Sequence, residues 1–137
     1  MMIDLATAPY AAFFLRLCLG IMFIAHATLN GVFTLRETTA FFRSIGLPGW
    51  FVHVIIAVEL VGGTCLILGI VARYVALLLV PEILGTIVKV HGKNGWSFTN
   101  KGGGWEYPAF WAAALVVLFL LGDGVFALVP SPPLSIF

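Results

Sequence analysis

Charge is scarce in this 137-residue sequence. Only 9% of its residues are Asp, Glu, Lys or Arg, and the formal net charge is +1. So little charge of either sign gives no grip on nucleic acid or on a strongly acidic partner. Cysteine is nearly absent. Cys18 and Cys65 form no C-x-x-C, which excludes a dithiol redox motif, and both are expected to be free thiols. Metal-ligand spacing is missing as well: no H-x-x-E, H-x-x-x-H or E-x-x-H pair occurs, and no metal site is expected. No glycine-rich phosphate loop opens a helix, and no serine sits in a sharp turn as a nucleophile would. A secretory leader is not expected either. The first apolar stretch has no basic n-region, exceeds an h-region in length and is followed by no small-x-small site, so it reads as a retained helix.

Apolar residues are what the chain has in abundance. They make up 61% of it, and the mean hydropathy is +1.10. A soluble domain of this size could not hide so much apolar surface. Four stretches, 10–33, 49–71, 73–90 and 107–128, are each about long enough for a helix to cross ~30 Å of hydrocarbon. The expected fold is all-α: one domain over residues 1–137, an antiparallel four-helix transmembrane bundle. Between the first two helices, residues 34–48 carry Arg36, Glu37 and Arg43 beside Phe41, Phe42, Ile45 and Leu47. That pattern predicts a short amphipathic segment near 38–45, lying in the membrane interface. The second connection, about 69–73, must be a tight hairpin. The third, 91–106, is the longest polar stretch, with turns at Asn94-Gly95 and at the Gly102–Gly104 run and with Trp96, Trp105 and Tyr107 at headgroup level. The proline-rich tail beyond Asp123 should not be helical.

The chain therefore reads as a multi-pass protein of the cell membrane with the lipid bilayer as its first partner. An even number of spans puts both termini on one side. Lys and Arg are more numerous on the two long connections, which favours these in the cytoplasm.

Several ionisable residues lie inside the apolar stretches: Arg16, His26, Glu59, Glu82 and Lys89. Each costs at least ~2.5–3.5 kcal/mol to insert, so each is a candidate functional residue. Counted from the helix ends, Glu59 and Glu82 are near mid-membrane. His26 and Lys89 are nearer the long connections, and Asn30, His53 and His91 nearer still. Glu82, Gly85, Thr86 and Lys89 recur at i, i+3, i+4 and i+7, one face of a helix. Glu59 shares a face with Gly62 and Gly63, and His26 with Asn30. Lipid cannot satisfy such groups, so these faces should look inwards on one cavity. Pro81 should bend the third helix beside Glu82. Arg16 is open between snorkelling to headgroups and a buried ion pair. Glu106 is open between a first-turn helix acid and a ligand contact.

These polar punctuations resemble the DoxX-like family of small four-helix membrane proteins. The resemblance runs from about Leu15 to Gly124 and rests on Arg16-Leu-Cys-Leu-Gly20 with His26, on Glu59-Leu-Val-Gly-Gly63 with Leu68, Gly69 and Arg73, on His91 with Asn94-Gly95, and on Gly103-Gly-Trp-Glu-Tyr-Pro108. Ala27 and Asn30 stand where family members often have glycine and lysine. The family takes its name from a subunit of a thiosulfate:quinone oxidoreductase. Other members are linked to redox stress, to quinone or catechol tolerance, or to membrane assembly. The resemblance implies the four-helix fold and a subunit or enzyme of quinone-linked redox metabolism.

On that reading a small apolar ligand of quinone size sits between the first three helices. His26, Glu59 and Glu82 exchange its protons, and Arg16, Asn30, Lys89, His91 and Glu106 complete the binding site. No cofactor is expected in the chain, quinone being a substrate. Electrons would come from another membrane or redox protein, and a homo-oligomer is a further candidate partner. Two other functions are open: a non-enzymatic membrane scaffold or assembly factor, and a small proton-coupled transporter with its site at the midplane acids.

Overall fold

The computed structural model describes residues 5–134, and within them the secondary structure is helical. Helix α1 spans Ala8–Ala27, α2 Leu35–Ser44, α3 Phe51–Leu68, α4 Ala72–Thr86 and α5 Glu106–Leu121. Two of them continue into wider turns. Residues Thr28–Val32 extend α1 as a π-helix, with Phe33 N–H donating to Thr28 O at 3.0 Å. Residues Ile87–His91 extend α4 in the same way, before a single 3-10 turn, Gly92–Asn94. With these extensions α1 and α4 reach 25 and 23 residues and α3 has 18, so three helices are long and apolar enough to cross a membrane. The fourth, α5, has 16 residues. At ~1.5 Å per residue it covers ~24 Å, somewhat less than the hydrocarbon core.

The four long helices pack in the ring order α1, α3, α4, α5, with α5 closing back on α1. The seam is filled by Leu19, Phe23, Leu66, Leu79, Ile83, Trp111, Leu115 and Leu118, with Ala72, Ala76 and Ala112 where backbones come close. The outer faces are equally apolar: Phe14, Ile21, Leu78, Val88, Phe110 and Leu120 all point outwards. A helix that is apolar on every side belongs inside a protein or a bilayer, and this is a membrane bundle. In lipid, contact packing rather than transfer from water holds helices together. The α1–α3 crossing shows it. A Cβ on Gly63 would stand 2.8 Å from Gly20 O, and one on Gly20 would stand 2.7 Å from Gly63 O. Gly63→Ala must therefore push the two backbones apart. The expected cost is about 1–3 kcal/mol, read as a lower unfolding midpoint in detergent, while Gly85→Ala, with open space at its Cβ, leaves the midpoint unchanged or raised.

The hairpin between α3 and α4 is as tight as its length demands. Gly69 adopts φ 69° and Val71 φ 41°, both left-handed. Val71 tolerates this conformation because a neighbouring strand of chain holds it: its N–H donates to Val129 O at 2.8 Å, and Val129 N–H donates to Gly69 O at 3.0 Å. The apolar run read as reaching Leu128 stops being helical at Leu121. Gly122 takes φ 93°, and residues 122–134 turn back across the end of the bundle. Hydropathy could not mark that boundary, since Val125, Phe126, Leu128 and Val129 are as apolar as the helix before them.

The amphipathic segment is α2. None of its residues is buried. It lies across the opposite end of the bundle, beside the π turn of α1 and the start of α3. The third connection is a compact loop. Gly104, Trp105 and Glu106 N–H groups donate back to Ser97, Gly95 and Trp96 carbonyls at 2.9–3.0 Å, and the Trp96 and Trp105 rings meet edge to face at 4.5 Å.

Candidate functional site

A cavity of about 560 Å³ opens at the α2 end of the bundle. Its walls are α1, α3 and α4. Its roof is the apolar face of α2 and the turn after it, through Phe41, Phe42, Ile45 and Leu47. Helix α2 is held in place lightly. Thr38 Oγ1–H has two acceptors within reach, Asn30 O at 2.7 Å and Thr34 O at 2.9 Å, and the Phe42 ring lies 6.4 Å from that of Phe51.

Five of the residues singled out from their spacing and depth meet in this cavity: His26, Asn30, Glu59, Glu82 and Lys89. His91 lines it as well. Glu59 is 3% exposed. Its Oε1 lies 2.8 Å from His26 Nδ1, the ion pair among the described residues, with the imidazole N–H donating. The His26 side chain is 44% exposed. Both members of the pair line the cavity, Glu59 from deep in the bundle and His26 from its more exposed side. The His26 ring is steered by Trp111 of α5, whose ring stands edge-on to it at 6.0 Å. Glu82 enters the same cavity from α4. Both Glu82 carboxyl oxygens are buried and have no hydrogen-bond partner. A buried carboxyl without a partner costs about 1–3 kcal/mol or more, and such a group calls for a ligand, a water or a proton. Pro81, just before it, supplies no N–H to the Leu77 carbonyl, so this stretch of α4 is short of one helix bond.

The two π turns flank this site. They carry Asn30, Lys89 and His91, and an inserted residue of this kind is common where a helix presents side chains to a function. His91 is committed on one side: its Nδ1–H donates to Gly103 O at 2.9 Å, which ties α4 to the third loop. That loop also explains the Gly-Gly-Trp-Glu segment. Glu106 Oε1 accepts the Phe98 N–H at 2.7 Å, so Glu106 braces the loop and does not line the cavity.

Arg16 is elsewhere too. It lies at the far end of the bundle, fully buried, and takes neither of the forms its sequence context left open. Its five N–H groups are caged by backbone carbonyls: Asp123 on Nε, Leu66 and Ile67 on Nη1, Val125 and Phe126 on Nη2, all at 2.6–3.0 Å. Asp123 completes the clamp. Its Oδ1 accepts from Arg73 N–H at 2.7 Å and from the Ser131 hydroxyl at 2.9 Å, and its Oδ2 accepts from Ser131 N–H. Cys18 and Cys65 are free thiols. Among the described residues no three His, Cys, Asp or Glu side chains converge as metal ligands.

Three parts of the site escaped the sequence reading. The roof was legible as an amphipathic segment, but nothing said what its apolar face covers. Trp111 sits in a helix without polar punctuation. Glu37, next to Arg36 on α2, reaches the cavity rim, whereas the sequence marked it only as one of the charges of the amphipathic segment.

The comparisons with known proteins agree with this architecture. The DoxX family matches over residues 11–92, more than half the chain, from α1 to the π turn of α4. The matched region holds every polar cavity residue named above. A protein of Bacillus subtilis (strain 168), named "Putative oxidoreductase CatD", is 38% identical over 76 residues, which is 56% of this chain and 56% of that protein. The chain thus spans little more than half the length of the curated relative it matches. No solved structure matches. With the family's span laid over three walls of the cavity, the chain belongs to the DoxX family.

Proposed function

We propose that this protein is a membrane component of redox metabolism that takes a small apolar molecule of quinone size into the cavity and handles its protons. The observation that carries the reading is the His26–Glu59 pair at 2.8 Å beside the unpartnered Glu82 carboxyl, at the base of an otherwise apolar cavity. Reducing a quinone to a quinol takes two electrons and two protons. His26 and the two carboxyls can hold and pass protons at the two carbonyl oxygens of such a ligand. Asn30 and Lys89 at the mouth supply further donors. The sequence has no cysteine cluster and no haem-ligand pair, so the electrons come from a partner redox protein. The name of the Bacillus relative, an oxidoreductase, favours redox chemistry over transport. The membrane is the cell membrane, with both chain ends on one side and the long connections in the cytoplasm.

Gly85 gives a clean test. It lines the cavity, and nothing lies within 4 Å of where its Cβ would be. A side chain at Gly85 starts in open space, so Gly85→Leu is expected to take up cavity volume, and it gains helix propensity of up to about 1 kcal/mol. Wild-type protein purified in mild detergent is expected to release a quinone or similar small apolar molecule on solvent extraction and mass spectrometry. Gly85→Leu is expected to release none, at equal or higher thermal stability. Identical extracts from both proteins, or no bound molecule in the wild type, would count against the cavity as a binding site. A scaffold whose polar cluster only locks the helices would gain from Gly85→Leu and lose no function.

A further inference from the structure

The face of α2 that points away from the cavity carries a second, separate depression. It holds about 470 Å³ and is lined by Leu35, Arg36, Thr39, Ala40, Arg43 and His53. We propose that Arg36, Arg43 and His53 form a binding site for a phosphate group, either on an anionic phospholipid headgroup or as free phosphate.

The two arginines are seven residues apart, two turns of one helix, so both guanidinium groups stand on the same face. Neither has a carboxylate partner: the ion pair among the described residues is His26–Glu59, on the other side of α2. Glu37, the carboxylate nearest in sequence, faces the cavity. Arg43 is turned towards α3, its Nε 2.7 Å from where a Cβ on Gly49 would be. His53 approaches from the first turn of α3. Its Nδ1–H donates to Trp50 O at 3.3 Å, and the ring lines the depression. Two forked guanidinium groups and an imidazole with no competing acid suit a phosphate, which has three or four acceptor oxygens and matches arginine bidentately.

Location favours the lipid source. Trp50, 65% exposed, stands beside His53, as an aromatic at headgroup depth does. Leu35 and Ala40 give the depression an apolar side, which a glycerol backbone can cover and a free ion cannot. A phosphate held here bridges α2 to the start of α3. Since α2 has no buried residue of its own, that bridge pins the roof of the cavity from outside.

The test is purified full-length protein, wild type and the double variant Arg36→Gln/Arg43→Gln, in nanodiscs of phosphatidylcholine with and without phosphatidylglycerol. Each protein is also measured in detergent with and without millimolar inorganic phosphate. Both substituted side chains are exposed, and in phosphatidylcholine the choline ammonium neutralises the phosphate beside it, so the two proteins should melt alike there. At roughly a fivefold gain per arginine near an anionic surface, the double variant should lose about thirtyfold in affinity for phosphatidylglycerol. The expected result is a higher melting temperature for the wild type when phosphatidylglycerol is present, absent in the double variant and weakened in His53→Gln. A stabilisation by inorganic phosphate alone, lost in the double variant, supports the site with free phosphate as its source. No stabilisation by either probe, or the same stabilisation in the double variant, overturns the proposal.

Discussion

Arg16→Met will loosen the whole far end of the bundle. Methionine keeps most of the volume and none of the five donors. The carbonyls of Leu66, Ile67, Asp123, Val125 and Phe126 then lose a partner that they share in a site closed to water. Hydrogen bonds to a charged group contribute about 1.5–3 kcal/mol each, and breaking a buried charged cluster typically costs 3–5 kcal/mol in all. The guanidinium also rests on the Phe13 ring, 4.9 Å from its centre, and Phe13 meets Phe126 edge to face at 5.2 Å. One substitution thus releases the tail at three points, the carbonyls of Asp123, Val125 and Phe126. The expected result is a destabilisation of about 3–5 kcal/mol, with new protease cleavage after Gly122. Arg16→Lys should fall between the two, since an ammonium has three donors and cannot span the carbonyls of α3 and the tail together. Denaturant unfolding in detergent, with cleavage sites mapped by mass spectrometry, decides it. An Arg16→Met protein with wild-type midpoint and an uncut tail would show that the carbonyl cage is not what fastens this end.

This clamp marks the limit of what sequence alone could tell. The four apolar helices were legible because lipid demands long apolar runs, and α2 because its charges and rings alternate at helical spacing. The His26, Glu59 and Glu82 cluster was legible for the same reason: polar groups within a lipid-facing layer must turn inwards, and depth plus face then nearly determine which of them meet. Arg16 obeys that rule too, but its acceptors are backbone carbonyls, which no residue type announces. Asp123 looked like the start of a loose tail because its partners, Arg73 N–H and Ser131, belong to a hairpin and to a segment that return to it only in three dimensions. Glu106 lies inside the Gly103–Pro108 motif, yet its carboxylate serves the Phe98 N–H. Motif specificity there reports a loop geometry: Gly104 passes where a Cβ would strike the carbonyls of Gly95, Trp96 and Ser97. Asn30 is a different case. It occupies the place of a common family lysine and still lines the cavity, while Lys89 reaches the same cavity from α4. The cation that the first helix lacks is present across the cavity, in the π turn that extends α4.

Glu59→Gln separates proton handling from packing more sharply than any other change in the cavity. The glutamine amide has nearly the volume of the carboxyl, and its oxygen can still accept the His26 N–H now directed at Oε1. Glu59 is 3% exposed and surrounded by the helix seam, so a shape-preserving neutral substitute should leave the bundle within about 1 kcal/mol of wild type. What glutamine cannot do is release or take up a proton. If the pair passes protons to a bound ligand, the loss should be of the size seen for a removed acid–base group, about 10²–10⁴-fold in rate. Glu59→Ala is the contrasting change, because it leaves His26 without a partner and opens a hole, so it should lose both function and stability. The readouts are the detergent unfolding midpoint and complementation of whatever phenotype deletion of the protein produces. Complementation by Glu59→Gln at unchanged stability would remove the proton-carrying role and leave the scaffold reading standing. Loss of complementation at unchanged stability is the expected result, because the amide keeps the carboxyl's shape and its hydrogen bond to His26 but cannot carry the charge or exchange the proton.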